Sequence, residues 1–192
     1  MILPIIAYGD PVLRKMGEDI TKDYPHLDDL IADMFETMYH ARGVGLAAPQ
    51  VGLPIRLFIV DASPFDDDED DQPEIKNFKK VFINARILEE SGREWPFAEG
   101  CLSIPEVRED VSRKANVKIS YYDEQFNHHE EEYTGVLARV IQHEYDHIEG
   151  KLFIDKISPI KKRLIAKKLD AITKGLVRPG YKMKYPAVKK KK

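Results

Sequence analysis

The chain has 192 residues, 43% of them apolar and 33% charged. That length suits one domain with a real core, and that balance excludes disordered and fibrous classes. No apolar run approaches the roughly 20 residues of a membrane helix. Residues 1–6 carry no basic leader and are interrupted by Pro4, so the sequence predicts a cytoplasmic protein with no membrane partner. Cys101 is the only cysteine. No internal disulfide can form, and the plain reading of a lone cysteine is a small buried hydrophobe. The net charge of −3 conceals a split: residues 1–150 hold 15 basic and 31 acidic side chains, residues 151–192 hold 15 and 2. A basic appendage on an acidic body points to a polyanionic partner or to a solvated surface.

Leu27, Leu30, Ile31, Met34, Phe35 and Met38 recur at helical spacing and predict an amphipathic helix over about 26–41. Gly43-Val44-Gly45 ends it, and a strand follows over 55–61. Residues 63–72, with acidic side chains from Asp66 to Asp71, read as a solvated loop in which like charges repel. Short strands are expected at about 80–84, 86–89, 104–111 and 116–122, then a turn at Asn127 and a strand edge to Glu132. Residues 134–148 turn helical, with Gly150 placed as a C-cap. Ser158-Pro159 reads as an N-cap followed by proline at the first helical position, opening a last helix that runs to Lys174 and stops at Gly175. The fold class expected is α+β: short, mostly antiparallel strands packed around one central helix, flanked by an N-terminal and a C-terminal helix.

The sharpest chemical signal is His143-Glu144-Tyr145-Asp146-His147. Histidines at i and i+4 lie one turn apart on one helix face, so two imidazoles can grip one metal ion while Glu144 projects beside it. A base there can take a proton from a water that the cation has acidified. Val136, Arg139 and Val140 share the face of His143, so the ligands sit on a largely apolar surface, where unpaired polar groups are costly. The third ligand is open at this level. Position 153 is Phe153, so the spacing that continues to a third histidine fails, and no glutamate follows Glu149. Asp155 and Asp170 remain, as does the thiol of Cys101 in Glu99-Gly100-Cys101-Leu102-Ser103. A thiolate binds zinc or ferrous iron strongly, and Gly100 would let the backbone pass close to a metal or substrate.

Three segments together resemble the signature motifs of the peptide deformylase family: Gly43-Val44-Gly45-Leu46-Ala47-Ala48-Pro49-Gln50, Glu99-Gly100-Cys101-Leu102-Ser103 and Gln142-His143-Glu144-Tyr145-Asp146-His147. They stand in order at family-like spacing, and the resemblance spans residues 1–175, leaving 176–192 as a basic C-terminal tail. The acidic loop around Asp66, Ile148 in place of a common leucine and the lysine-rich extension depart from the pattern. The resemblance implies hydrolytic removal of the formyl group from the N-terminal N-formylmethionine of nascent polypeptides, with release of formate.

It further implies that Cys101, His143 and His147 bind one divalent metal with a fourth position open. Ferrous iron is the expected ion, with zinc, nickel or cobalt as substitutes. Glu144 would act as general base and then acid. The Gln50 side chain and the Leu102 N–H would donate to the developing oxyanion, and Gly45 would bond the substrate backbone. Val44, Phe97, Val136 and Val140 are the candidates for the methionine slot. Glu99 and Gly100, beside the thiol, would contact the substrate, and Arg108 would lie beside the peptide. Arg113 is expected to pair with Asp146. The ribosome is a candidate partner for the basic C-terminal segment, and DNA is not. Two other readings are a metallopeptidase with a ligand downstream of His147, and a binding module whose structural zinc is closed by His128 or His129.

Overall fold

The computed structural model describes residues 1–66 and 73–186. In chain order the elements are β1 (Ile5–Ile6), α1 (Leu27–His40), β2 (Gly45–Ala47), β3 (Leu57–Asp61), α2 (Pro73–Lys76), β4 (Lys79–Cys101), β5 (Ile104–Tyr122), β6 (His128–Thr134), α3 (Gly135–Ile148), α4 (Pro159–Thr173) and β7 (Met183–Lys184). Strands β2-β3-β4-β5-β6 form one antiparallel sheet in that spatial order, and β1 pairs in parallel with β7. The α+β class expected from the sequence is the class observed.

The side-chain period of the strands explains how the sheet serves two helices. In β3, Phe58 and Val60 join a core with Phe82, Ile119, Ala138, Ile141 and Ile148, on the side of α3. Leu57 and Ile59 face the opposite way, against Ile31, Met34, Phe35 and Met38 of α1. Alternate residues of a strand point to opposite faces, so one apolar run feeds both layers. A third cluster joins Ile104, Val107 and Val111 of β5 to Phe153, Ile165 and Ile172, seating α4. Gly150 ends α3 with φ +70, and a Cβ there would lie 2.6 Å from the Arg14 carbonyl oxygen. Only glycine meets both demands. The Ser158 side chain caps α4 by accepting from the Lys161 N–H at 3.3 Å.

Two expectations change. The four short strands are two long ones, because β4 and β5 run on through register shifts between Ile83 and Arg86, Ile87 and Glu89, and Ser91 and Glu94. Each such bulge resets which face a side chain points to. Residues 176–186, read from sequence as part of a tail, return to the body: β7 runs beside β1, and the Ile5 and Ala7 N–H groups donate to the Lys182 and Lys184 carbonyls at 2.9 Å. Of the acidic loop, residues 67–72 lie outside the described part, as do residues 187–192 with their four lysines.

Candidate metal centre

Strands β4 and β5 meet in a tight turn at Leu102-Ser103, with Cys101 paired to Ile104 across it. That turn delivers the Cys101 thiol to the buried face of α3. Cys101, His143 and His147 offer ligand atoms that all lie within 4.8 Å of one another, the one such group among the described residues. Cys101 Sγ is 3.3 Å from His147 Nε2, near the roughly 3.5 Å edge of a tetrahedron with metal–ligand bonds of about 2.0–2.3 Å.

The donor set is prepared for a cation. His143 Nδ1 lies 2.9 Å from Glu99 Oε1. A carboxylate there accepts a hydrogen bond from Nδ1–H, which fixes the tautomer that leaves the Nε2 lone pair free for a metal. Burial depresses the pKa of His147, keeping it in the neutral form that ligates. The His147 Nδ1 and Glu144 Oε2 atoms are buried with no protein hydrogen-bond partner among the described residues. Orphaned buried polar atoms are rare, and of these two residues Glu144 also lines the cavity in front of Cys101 and His143. Burial also pushes the Glu144 carboxyl up to about 7.

Beneath the ligands runs a buried charge network. Arg113 donates through Nε and Nη2 to the two Glu99 oxygens at 2.8 and 2.9 Å, and through Nη1 to Asp146 at 2.7 Å. Arg139 adds a contact to Glu99 at 3.0 Å and donates to the Val111 carbonyl at 2.7 Å. Burial alone would raise the Glu99 carboxyl, but its bonds to His143 and Arg113 outweigh that and hold it at about 2. The expected Arg113–Asp146 pair is present. Glu99, expected against substrate, is 4% exposed and spends its oxygens on Arg113, Arg139 and His143. It backs His143, one of the three residues that could hold a metal.

The cavity in front has a volume of about 560 Å³. It is lined by the expected Val44, Gly45, Gln50, Phe97, Glu99, Gly100, Cys101, Leu102, Arg108, Val140, His143 and Glu144. Val136 is not in its wall; one turn further from the ligands, it packs against the α3 side of the sheet core. Gln50 is tied in place: its Oε1 accepts from the Ala47 N–H at 2.9 Å, which aims Nε2 at Ser103 Oγ (3.2 Å) and Cys101 Sγ (3.4 Å). Gly45 lies against Glu144, and a Cβ there would stand 2.7 Å from the Glu144 Cγ and Cδ atoms. At Gly100 a Cβ would lie 3.4 Å from Arg108 Cγ, an ordinary contact with the protein's own atoms.

The sequence did not reveal Arg42, Phe65, Arg139, Pro179 or Tyr181 as wall residues. Of these, Arg139 had a signal, its place on the His143 face. The alternative ligands are elsewhere. Asp155 is 2.6 Å from Arg14, and Asp170 is 2.6 Å from Lys174. His129 is 2.7 Å from Asp123, and His128 packs on the Tyr122 ring. No fourth protein ligand closes the site among the described residues, which counts against a structural zinc.

A thiol and two imidazoles on a buried helix, with a glutamate beside them and a cavity in front, define a mononuclear metallohydrolase. Comparison with known proteins narrows the class. A family model for polypeptide deformylase matches residues 2–163. Peptide deformylase of Flavobacterium psychrophilum is 65% identical over 188 residues, covering 96% of this chain and 97% of that protein. That of Cytophaga hutchinsonii is 56% identical over 189 residues, covering 98% and 100%. A solved peptide deformylase from Plasmodium falciparum superposes with TM-score 0.79 at 36% identity, covering 89% of this chain and 95% of that one. One from Thermotoga maritima gives 0.73 at 42%, covering 83% and 99%. The chain belongs to the polypeptide deformylase family. It is a metal-dependent hydrolase that removes the formyl group from the N-terminal N-formylmethionine of new polypeptides, releasing formate.

Proposed function

We propose that Cys101, His143 and His147 hold the single metal of this deformylase, ferrous iron in the native state, and that Glu144, Gln50 and the Leu102 N–H do the chemistry beside it. The observation that carries this reading is the convergence of the only thiol with two α3 imidazoles and an unpartnered buried carboxylate. A bound divalent ion supplies Lewis acidity and lowers the pKa of a coordinated water.

The residues of the chain supply the rest. Glu144 takes the proton of the attacking water and passes it to the leaving amine. A carboxyl drawn up to about 7 by burial suits both transfers, and a neighbouring cation favours its accepting form. As the formyl carbon becomes tetrahedral, charge grows on its oxygen, and Gln50 Nε2 and the Leu102 N–H donate to it. Gln50 needs little reorganisation, because Ala47 already fixes its amide. Val44, Phe97 and Val140 take the methionine side chain. Gly45 gives Glu144 room and bonds the peptide backbone, and Arg108 lies alongside it.

Anaerobic purification followed by metal analysis and a formate-release assay on a formyl-methionyl peptide tests this reading. One equivalent of iron and an activity that decays in air are expected, since oxidation of the metal or thiolate disables such a site. One equivalent of zinc with equal half-lives in and out of air would contradict the assignment of iron. We further propose that the enzyme works in the cytoplasm and that its basic end tethers it to the ribosome. Lys162, Arg163, Lys167 and Lys168 are exposed on α4, and attraction to RNA phosphates weakens steeply with salt. Neutralising these four and removing residues 187–192 should preserve turnover on short peptides and abolish salt-sensitive co-sedimentation with ribosomes. Unchanged sedimentation would contradict the tether.

A further inference from the structure

The turn that carries the metal-site thiol is held by both ends of the chain. From the N-terminal side, the Tyr8 N–H donates to the Ser103 carbonyl at 2.9 Å. From the C-terminal side, the Tyr181 hydroxyl donates to the Leu102 carbonyl at 2.8 Å. The two ends are themselves joined by the β1–β7 pairing, whose residues lie just before Tyr8 and just after Tyr181. In the same strap, away from the turn, the Tyr185 hydroxyl donates to the Val177 carbonyl and its ring lies against Gly175. Tyr181 is half-buried and, with Pro179, forms part of the cavity wall. It lies beyond residue 163, where the family match ends.

A two-residue turn has few bonds of its own, and its conformation sets where the Cys101 thiol and the Leu102 N–H point. Hydrogen bonds to the consecutive Leu102 and Ser103 carbonyls, one from a side-chain hydroxyl and one from a backbone N–H, restrict those peptide planes, and small misplacements of reacting groups are costly. We propose that Tyr181 is a positioning residue of the deformylation site, holding the Cys101-Leu102-Ser103 turn in register with α3 through its bond to the Leu102 carbonyl. The claim rests on the roles assigned above to Cys101 and Leu102. The ring adds a wall against which the peptide chain beyond methionine lies.

The hydroxyl and the ring separate experimentally. Tyr181→Phe keeps the ring and removes the bond, and Tyr181→Ala removes both. Tyr185→Phe removes a bond in the same strap outside the cavity. Each is measured as cobalt-loaded protein, by steady-state formate release and by the thiolate-to-cobalt absorption band. For Tyr181→Phe we expect full cobalt occupancy, a displaced band, KM unchanged and kcat down about two- to tenfold, the worth of one hydrogen bond. Tyr181→Ala should in addition raise KM for formyl-methionyl tripeptides. Tyr185→Phe should match the parent. Parental kcat and band position in Tyr181→Phe would overturn the proposal, as would an equal fall in kcat for Tyr185→Phe. Failure of the underlying site assignment would show earlier, as a parent protein that binds no cobalt or shows no thiolate band.

Discussion

Helices α3 and α4 are nearly equal in length, at 14 and 15 residues, and both are rich in polar side chains. They use them in opposite ways. In α3, Arg139, Gln142, Glu144, Asp146 and His147 are all buried. In α4, only Ile165 and Ile172 are buried, while Ile160 and Leu164 are 70% and 75% exposed among the lysines. A buried charge without a partner costs several kcal/mol, whereas a solvated one costs almost nothing. Arg139 and Asp146 of α3 are held by buried charge partners, while Glu144 is left without one and faces the cavity. The polar residues of α4 are solvated and make exposed contacts, such as Lys161 with Glu109 and Lys174 with Asp170, which contribute little to stability.

The comparison predicts a gradient of effects. At the top, Cys101→Ala or His147→Ala should each strip most bound metal and take activity to background, measured by metal analysis beside formate release. A Cys101→Ala protein with one equivalent of metal and full turnover would break the α3 account. Next, Gly45→Ala places a methyl group 2.7 Å from Glu144 carbon atoms. Displacing the glutamate should cost roughly 10²-fold in kcat with metal retained. A normal kcat would show that the Glu144 position has slack.

Stability sharpens the contrast further. Glu99→Gln leaves Arg113 and Arg139 short of a buried counter-charge and should cost about 3–5 kcal/mol in urea unfolding of the metal-free protein at neutral pH. The sign with pH follows from Glu99 being held at about 2, below its ordinary 4.5. Its contribution is complete above about 4.5 and is lost as pH falls from there toward 2. The variant should show a shallower acid dependence than the parent over that window, and a parallel dependence would remove Glu99 from the network's energetics. At the bottom of the gradient, Lys167→Ala on α4 should change stability by about 0.5 kcal/mol or less.

The same contrast explains what could be read from the sequence. The group that could hold a metal was legible in its parts, because helical spacing alone sets His143 and His147 on one face, and a lone thiol flanked by glycine stood out. The caps of α4 and the end of α3 were legible because Ser158, Pro159 and Gly150 each do one local job. The lengths of β4 and β5 were not, since bulges interrupt the alternation that marks a strand and make one strand look like two. Glu99 was read as a substrate contact because nothing local shows Arg113 and Arg139 arriving from β5 and α3. Val136 was placed by periodicity on the face of His143, but it lies one turn beyond Val140 and outside the cavity wall. Tyr181 had no signal, because its importance lies in a contact with Leu102 that only the folded termini create.

The central claim is that the buried carboxylate of α3 moves the proton at a metal held by its neighbours. It is tested most directly by Glu144→Gln, purified anaerobically with the parent and assayed for bound metal and formate release in the same preparation. The substitution preserves shape and removes the proton acceptor. The account predicts full metal occupancy with turnover reduced about 10²–10⁴-fold, the usual worth of general acid–base catalysis. Turnover within a few-fold of the parent at equal occupancy would contradict it.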